Sequence, residues 1–427
     1  MRIVSLQSGT SADGIDVALV DIRPHRSADR TVLQLRPLLQ ETIEMPARLR
    51  EQVITLAHGR ATTAAEMCEV DTLLGQAFGD AAAVLGPRSS RERVDLVVSH
   101  GQTVHHWVQG GATRGSLQLG AAPWIAEAFG APVLSQLRLS DIAARGAGAP
   151  LMAVLDRLLL GDVARAQGRA QATLNLGGIA NLQVVAPDGG VLAWDTGPGC
   201  ALIDHVVVAA SCGLQRYDRD GRYAASGRID DALLARLRAH PYLASGQRGT
   251  TGRETFGPHW LEECLAGSGA PRPATRDLVA TLTSLTVSTV AEALRGLPES
   301  PARLIVSGGG ARNPTLMAWL RAACREQGIP VESSDRWGIA AEFKESVMFA
   351  LIGYLSWCGV PIRLPGSPHQ GRVLGQFSPG PVALVLPPVL GRVDAVRVSP
   401  ARRRGTRRRY DADDDAPVPH PALRPRE

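Results

Sequence analysis

The chain has 427 residues, is 44% hydrophobic and 20% charged, and carries a formal net charge of +5, which is ample apolar material for two or three folded domains and excludes an unfolded chain. Its basic residues include a single lysine, Lys344, in Glu342-Phe343-Lys344-Glu345 with no glycine near it. A Walker-A phosphate loop, which needs GxxxxGK[ST], is therefore excluded, and lysine Schiff-base chemistry is not expected.

An apolar run at 3–6 breaks into Ser8-Gly9-Thr10-Ser11-Ala12-Asp13-Gly14 and resumes at 15–20, which predicts a strand, a tight turn and a strand. Small residues in such a turn bring backbone N–H groups and hydroxyls close to a phosphate chain, and a carboxylate there can hold magnesium directly or through water. A strand at 94–98, a helix around 124–129 and an apolar helix from 151 to 160 follow. A second strand-turn-strand unit at 172–185, carrying Asn175-Leu176-Gly177-Gly178-Ile179-Ala180-Asn181, repeats the first. Two copies of one unit predict a duplicated, two-lobed α/β architecture.

The second half adds a strand ending at Trp194 before Asp195-Thr196-Gly197-Pro198-Gly199, a long helix over 278–294 and a strand at 304–306 before Ser307-Gly308-Gly309-Gly310. Asn313 reads as the N-cap of the next helix, with Pro314 in its first turn. Lys344 falls in a helical pattern whose apolar stripe is Phe343, Val347, Leu351 and Leu355, which predicts a solvated lysine. Four glycine turns after apolar runs, in this order, point to a nucleotide site.

From about residue 379 the composition turns to Pro, Arg and Asp, and residues 391–427 hold ten arginines against six acidic residues. This reads as an unstructured tail at 381–427, not as a nucleic-acid arm, and removal of residues 391–427 is expected to leave activity within a few fold. The opening residues lack a signal-peptide pattern, no stretch reads as a membrane span, and the six cysteines form no CxxC pair. A cytoplasmic protein is expected, with no membrane and no nucleic-acid partner.

The motifs SGTSADGID (8–16), SHGQTVHH (99–106), LQLG (117–120), GAP (148–150), NLGGIANL (175–182), DTGPG (195–199), DRDGRYAASG (218–227), TTGRETFG (250–257) and SGGGARNPTLM (307–317) follow one another along the chain. In these it resembles the 1,6-anhydro-N-acetylmuramic acid kinases of the sugar kinase, heat-shock ATPase and actin superfamily, over about residues 3–380. The resemblance implies a two-lobed actin-like (ribonuclease H-like) fold, with an N-terminal lobe at 1–168 that can recruit a helix near 343–358, and a C-terminal lobe at 169–380. It implies ATP and Mg2+ as cofactors and 1,6-anhydro-N-acetylmuramic acid as substrate. The product is N-acetylmuramic acid 6-phosphate, an intermediate of peptidoglycan recycling, and the expected assembly is a homodimer.

By the same resemblance Asp195 is the catalytic base. Gly9, Thr10, Ser11, Ala12, Asp13, Gly14, Ile15, Asp16, Gly178, Gly197, Gly199, Gly308, Gly309, Gly310 and Asn313 face the nucleotide, with Asp13 the magnesium-associated carboxylate. His100, Gln102, Thr103, Gln118 and Asp141 are the expected sugar contacts. The chain departs from the family pattern at Cys200 in place of asparagine after DTGPG, at Arg145 and Ala147 in place of Gly and Gln before GAPL, and at Ala12 in place of leucine. These departures keep two other readings open: a catalytically weakened ATP-binding sensor of cell-wall fragments, and another sugar kinase of the superfamily. Arg253 and Glu254 are expected either to contact sugar or close the lobes, or to form a surface ion pair.

Overall fold

Along β1 (Arg2–Ser8) the side chains alternate between two apolar layers, Ile3 facing one and Val4 and Leu6 the other. A strand buried on both faces belongs in the middle of a sheet covered by helices on each side. In the computed structural model, which describes residues 1–9, 12, 14–57, 59–86, 94–246, 248–249, 251–252, 255–267, 269, 271–381 and 383–399, that is its place. β1 pairs antiparallel with β2 (Gly14–Arg26), which pairs antiparallel with β3 (Thr31–Glu44), while β4 (Leu96–Gln109) lies parallel on the other side of β1. β5 (Ala112–Leu119) folds back on β4 as a hairpin, and β6 (Val133–Ser135) runs parallel to β4.

The second lobe repeats this plan. β7 (Gln171–Leu176), β8 (Ile179–Val185) and β9 (Val191–Pro198) form an antiparallel meander, and β10 (Leu304–Ser307) and β11 (Val331–Ser333) add parallel strands beyond β7. Each lobe therefore places its first strand between a meander on one side and parallel strands on the other, the duplicated two-lobed α/β arrangement that the two sequence repeats predict and, by the resemblance, an actin-like one. The helix Thr275–Arg295 is the one among the described residues long and apolar enough to cross a membrane, and it is mostly buried in the second lobe's core.

The helix Met152–Gln167 joins the lobes. Its Leu155 and Leu158 pack in the first lobe's core, and Leu160 packs against Val185 and Ile305 of the second. After β11 the chain crosses back, and the helix Lys344–Trp357 fills the first lobe's core, with Gly353 so close to Val98 of β4 that a Cβ there would overlap it. β12 (Gln376–Ser378) then pairs with β6. The first lobe therefore takes in this helix and also the return segment after it, which the sequence reading assigns to the second lobe.

Two expectations are corrected here. Lys344 is buried, not solvated: its Nζ lies 2.7 Å from Asp156 Oδ1, and both side chains are almost fully enclosed. Its helix is buried on nearly every side, so a single apolar stripe understates its surroundings. The tail is also partly built into the fold. β13 (Ala395–Val398) pairs parallel with β3, and Val393, Ala395 and Val396 are buried. Alternating apolar residues within an Arg-rich composition supply one more edge strand. Residues 400–427 lie outside the described residues.

Candidate active site

The turn between β1 and β2 follows from its residue types. Ala12 takes φ +48° and its N–H donates to the Gly9 carbonyl at 3.0 Å, a left-handed position for a small residue. Asp16 is held from two sides: Thr42 Oγ1 donates to Oδ1 at 2.7 Å and Gln7 Nε2 to Oδ2 at 3.3 Å. The side chains of Ala12 and Ile15 point into the core, and Gly14 abuts Thr42, so these three shape the turn from behind. Thr10, Ser11 and Asp13 lie outside the described residues, as do Arg253 and Glu254.

Across the cleft, two turns of the second lobe are zipped together. Gly199 N–H donates to the Gly178 carbonyl at 2.9 Å and Cys200 N–H to the Gly177 carbonyl at 2.8 Å, opening the helix Ala201–Ala210. Gly197 sits at φ +135°, which a side chain would strain. Asp195, nearly buried at the end of β9, is fixed by Asn181 Nδ2 donating to Oδ1 at 2.7 Å and by the Thr251 N–H donating to Oδ2 at 2.8 Å. The Tyr242 hydroxyl anchors the same residue's carbonyl at 2.7 Å. These two donors fix the orientation of the carboxylate.

Gly308 adopts φ +87° with its N–H donating to the Ala341 carbonyl at 2.8 Å, Gly310 packs against Leu176 and Cys200, and Gly309 faces open space. The N–H groups of Gly199 and Gly308 are therefore spent on protein carbonyls. A Cβ at either position would overlap the neighbouring turn at 175–177. Asn313 caps its helix as predicted, its Oδ1 accepting from the Leu316 N–H at 3.0 Å.

The third wall is the end of β4, β5 and β6. His100, Gln102 and Gln118 are buried and Thr103 half-buried. Gln102 Nε2 donates to the Gly9 carbonyl at 3.2 Å, which ties this wall to the turn between β1 and β2. Gln118 Nε2 donates to Thr103 Oγ1 at 3.2 Å. His100 Nδ1 and the side-chain oxygens of Ser8, Gln102 and Gln118 are buried without a protein partner. Buried polar atoms are nearly always paired, so such a cluster fits a polyhydroxylated ligand. Burial, and then the neighbouring Arg138, hold the His100 imidazole well below its ordinary pKa.

Asp141 is placed differently from the other expected sugar contacts. It is fully buried, Oδ1 accepting from Ser367 Oγ at 2.7 Å and paired with His369 Nε2 at 2.8 Å, and Oδ2 accepting from the Gly148 N–H at 2.8 Å. It clamps the loop at 143–150 to the return segment from beneath. Three cleft residues lacked a sequence signal of their own. Gln136, at φ +53°, donates to the Gln118 carbonyl at 3.2 Å. Arg138 donates to the Gly148 carbonyl at 2.9 Å and contacts His100 at 3.4 Å. Glu345 accepts from Asn175 Nδ2 at 3.1 Å, and its carboxyl is pushed up by burial and then by Asp16. Among the described residues no three His, Cys, Asp or Glu side chains gather as a metal site.

Comparison with known proteins gives this cleft a family. The family model for anhydro-N-acetylmuramic acid kinase matches residues 1–379. The chain belongs to that family. It is similar to the anhydro-N-acetylmuramic acid kinase of Streptomyces avermitilis, 43% identical over 396 residues that cover 91% of this chain and 97% of that one. The Streptomyces coelicolor protein of the same name is 42% identical, covering 92% and 97%, and that of Rhodococcus erythropolis 40%, covering 89% and 94%. The chain is accordingly a kinase of the anhydro-amino-sugar class. Its departures from the family pattern are absorbed locally. Arg145 keeps the left-handed φ of +69° that a glycine would adopt freely, and burial and then Asp204 push the Cys200 thiol up to about 12.

Proposed function

We propose that the cleft couples hydrolysis of the 1,6-anhydro bridge to phosphorylation of O6. Water adds to the anomeric carbon as Asp195 takes its proton, the C1–O6 bond breaks, and O6 accepts the γ-phosphoryl group of ATP with ADP leaving. The observation that carries this is Asp195 itself: an enclosed carboxylate, oriented by Asn181 and Thr251, beside the glycine turns that line the nucleotide side. A positioned base contributes about 10²- to 10⁴-fold in rate. Phosphoryl transfer asks of the rest of the site mainly position and charge stabilisation.

In this reading Asp13 would hold the nucleotide's Mg2+, directly or through water, and Mg2+ would supply charge stabilisation to the transferring phosphoryl group. The turns around Gly9, Gly178, Gly197 and Gly309 surround the phosphates, and His100, Gln102, Thr103 and Gln118 bind the sugar. Asp141 acts as a positioning residue. The family membership supports a cytoplasmic homodimer in peptidoglycan recycling, and six free thiols fit a reducing compartment. No observation favours the sensor or an ordinary hexose kinase. The test is to supply Mg-ATP and 1,6-anhydro-N-acetylmuramic acid in ¹⁸O-water. Sugar-dependent ADP with the label at the anomeric oxygen is expected, and ADP formed equally without the sugar would contradict it.

A further inference from the structure

Arg138 follows β6 and is half-buried in the sugar-side wall, yet no carboxylate among the described residues lies within 4.0 Å of its guanidinium. Two contacts are made, Nη1 to the Gly148 carbonyl at 2.9 Å and Nη2 to His100 at 3.4 Å. Its Nε is buried and has no partner. A guanidinium has five N–H donors in a planar fork, so the edge formed by Nε and the second Nη2 hydrogen is available, and that edge matches a carboxylate in bidentate fashion. Burial works against the charge and Glu345 is near enough only to support it from a distance. A half-buried cation whose Nε is shielded and unpaired, with no close counter-ion, is better satisfied when an anion arrives to complete it.

The ligand of this wall carries such an anion. Muramic acid differs from glucosamine by a lactyl ether on O3 that ends in a carboxylate. We propose that Arg138 is a specificity-determining residue that binds the lactyl carboxylate of the sugar through its Nε/Nη2 edge, while its Nη1 holds the loop at 143–150 against the substrate. His100, neutral and stacked on Phe349 with ring centroids 4.6 Å apart, braces the guanidinium from behind and leaves it free to serve the ligand. Glutamines 102, 118 and 136 then read hydroxyls and the acetamido group, which require no charge.

This assignment rests on the anhydro-muramyl reading above, and the test separates the two. Affinity and turnover are measured for 1,6-anhydro-N-acetylmuramic acid and for its lactyl methyl ester, with the wild type, Arg138→Met and Arg138→Lys. For the wild type we expect turnover of the free acid and about 30-fold or more weaker binding of the ester, since removing one partner of an enclosed charge pair costs at least that much. Arg138→Met should bind acid and ester within about threefold of each other, and Arg138→Lys, which keeps the charge without the fork, should retain part of the ratio. Loosening of the loop penalises both ligands equally and leaves the ratio unmoved, so a merely structural role is distinguishable. Should the Met variant fail to fold, an unreduced acid-to-ester ratio in the Lys variant overturns the proposal. A ratio unchanged in Arg138→Met, or a loss of ATP affinity in place of sugar affinity, overturns it as well. A wild type that turns over the acid but does not discriminate the ester removes Arg138's role alone, and a wild type inert toward the acid removes both readings.

Discussion

Lys344 Nζ and Asp156 Oδ1 form a buried ion pair at 2.7 Å, and Asp156 Oδ2 accepts from Thr173 Oγ1 of β7 at 2.6 Å. The three residues come from the returning helix, the joining helix and the second lobe's first strand, so the pair ties both lobes at the back of the cleft. Lys344 is also the immediate neighbour of Glu345, whose carboxyl it helps to hold charged. Truncating one partner of a buried pair leaves an uncompensated charge and costs about 3–5 kcal/mol. Lys344→Met should lose that much stability in denaturant unfolding. The double variant with Asp156→Asn, which still accepts from Thr173, should recover more than half of it. Additive losses would show that the two groups do not act as a pair.

Glu345→Gln should raise thermal stability while lowering turnover. Because the folded protein holds this carboxyl above its ordinary value of 4.5, folding binds the proton more tightly than the unfolded chain does. Stability from this group is therefore fully present below that value and is lost as pH rises through the higher folded value. The melting temperatures of wild type and variant should coincide near pH 4.5 and diverge as pH increases, the Gln variant melting higher. A constant difference across pH would remove Glu345 as the titrating group.

Removing residues 400–427 should leave both stability and turnover unchanged, whereas removing 391–427 should destabilise the first lobe. The shorter truncation spares β13; the longer one strips Val393, Ala395 and Val396 from the core beside β3. A fully buried valine contributes about 1.5–3 kcal/mol, so a loss of several kcal/mol is expected. Equal melting temperatures for the two truncations would contradict the role given to this strand.

What the sequence made legible was local. The strand-turn-strand repeats, the Asn313 cap and the glycine turns are each written in a few neighbouring residues, and the structure has them where they were expected. What it hid were pairings between distant segments. Nothing near Lys344 announces Asp156, so a helical pattern with one apolar stripe put the lysine in water. Asp141 has the chemistry of a sugar contact, but Ser367 and His369 on the return segment decide that it is buried. Arg138 lies between two family motifs and acquires meaning only when β4 and β6 align it with His100. The strand at 395–398 was masked by the arginines that follow it.

The central claim is that Asp195 activates the water that opens the anhydro bridge. Asp195→Asn keeps the size of the side chain and a hydrogen-bonding oxygen for Asn181 or Thr251 but removes the base. The decisive measurement is the turnover of this variant on 1,6-anhydro-N-acetylmuramic acid alongside its ATP affinity. Turnover should fall by about 10² to 10⁴ while the ATP dissociation constant stays within about threefold. Near-normal turnover, or loss of ATP binding together with turnover, would contradict it.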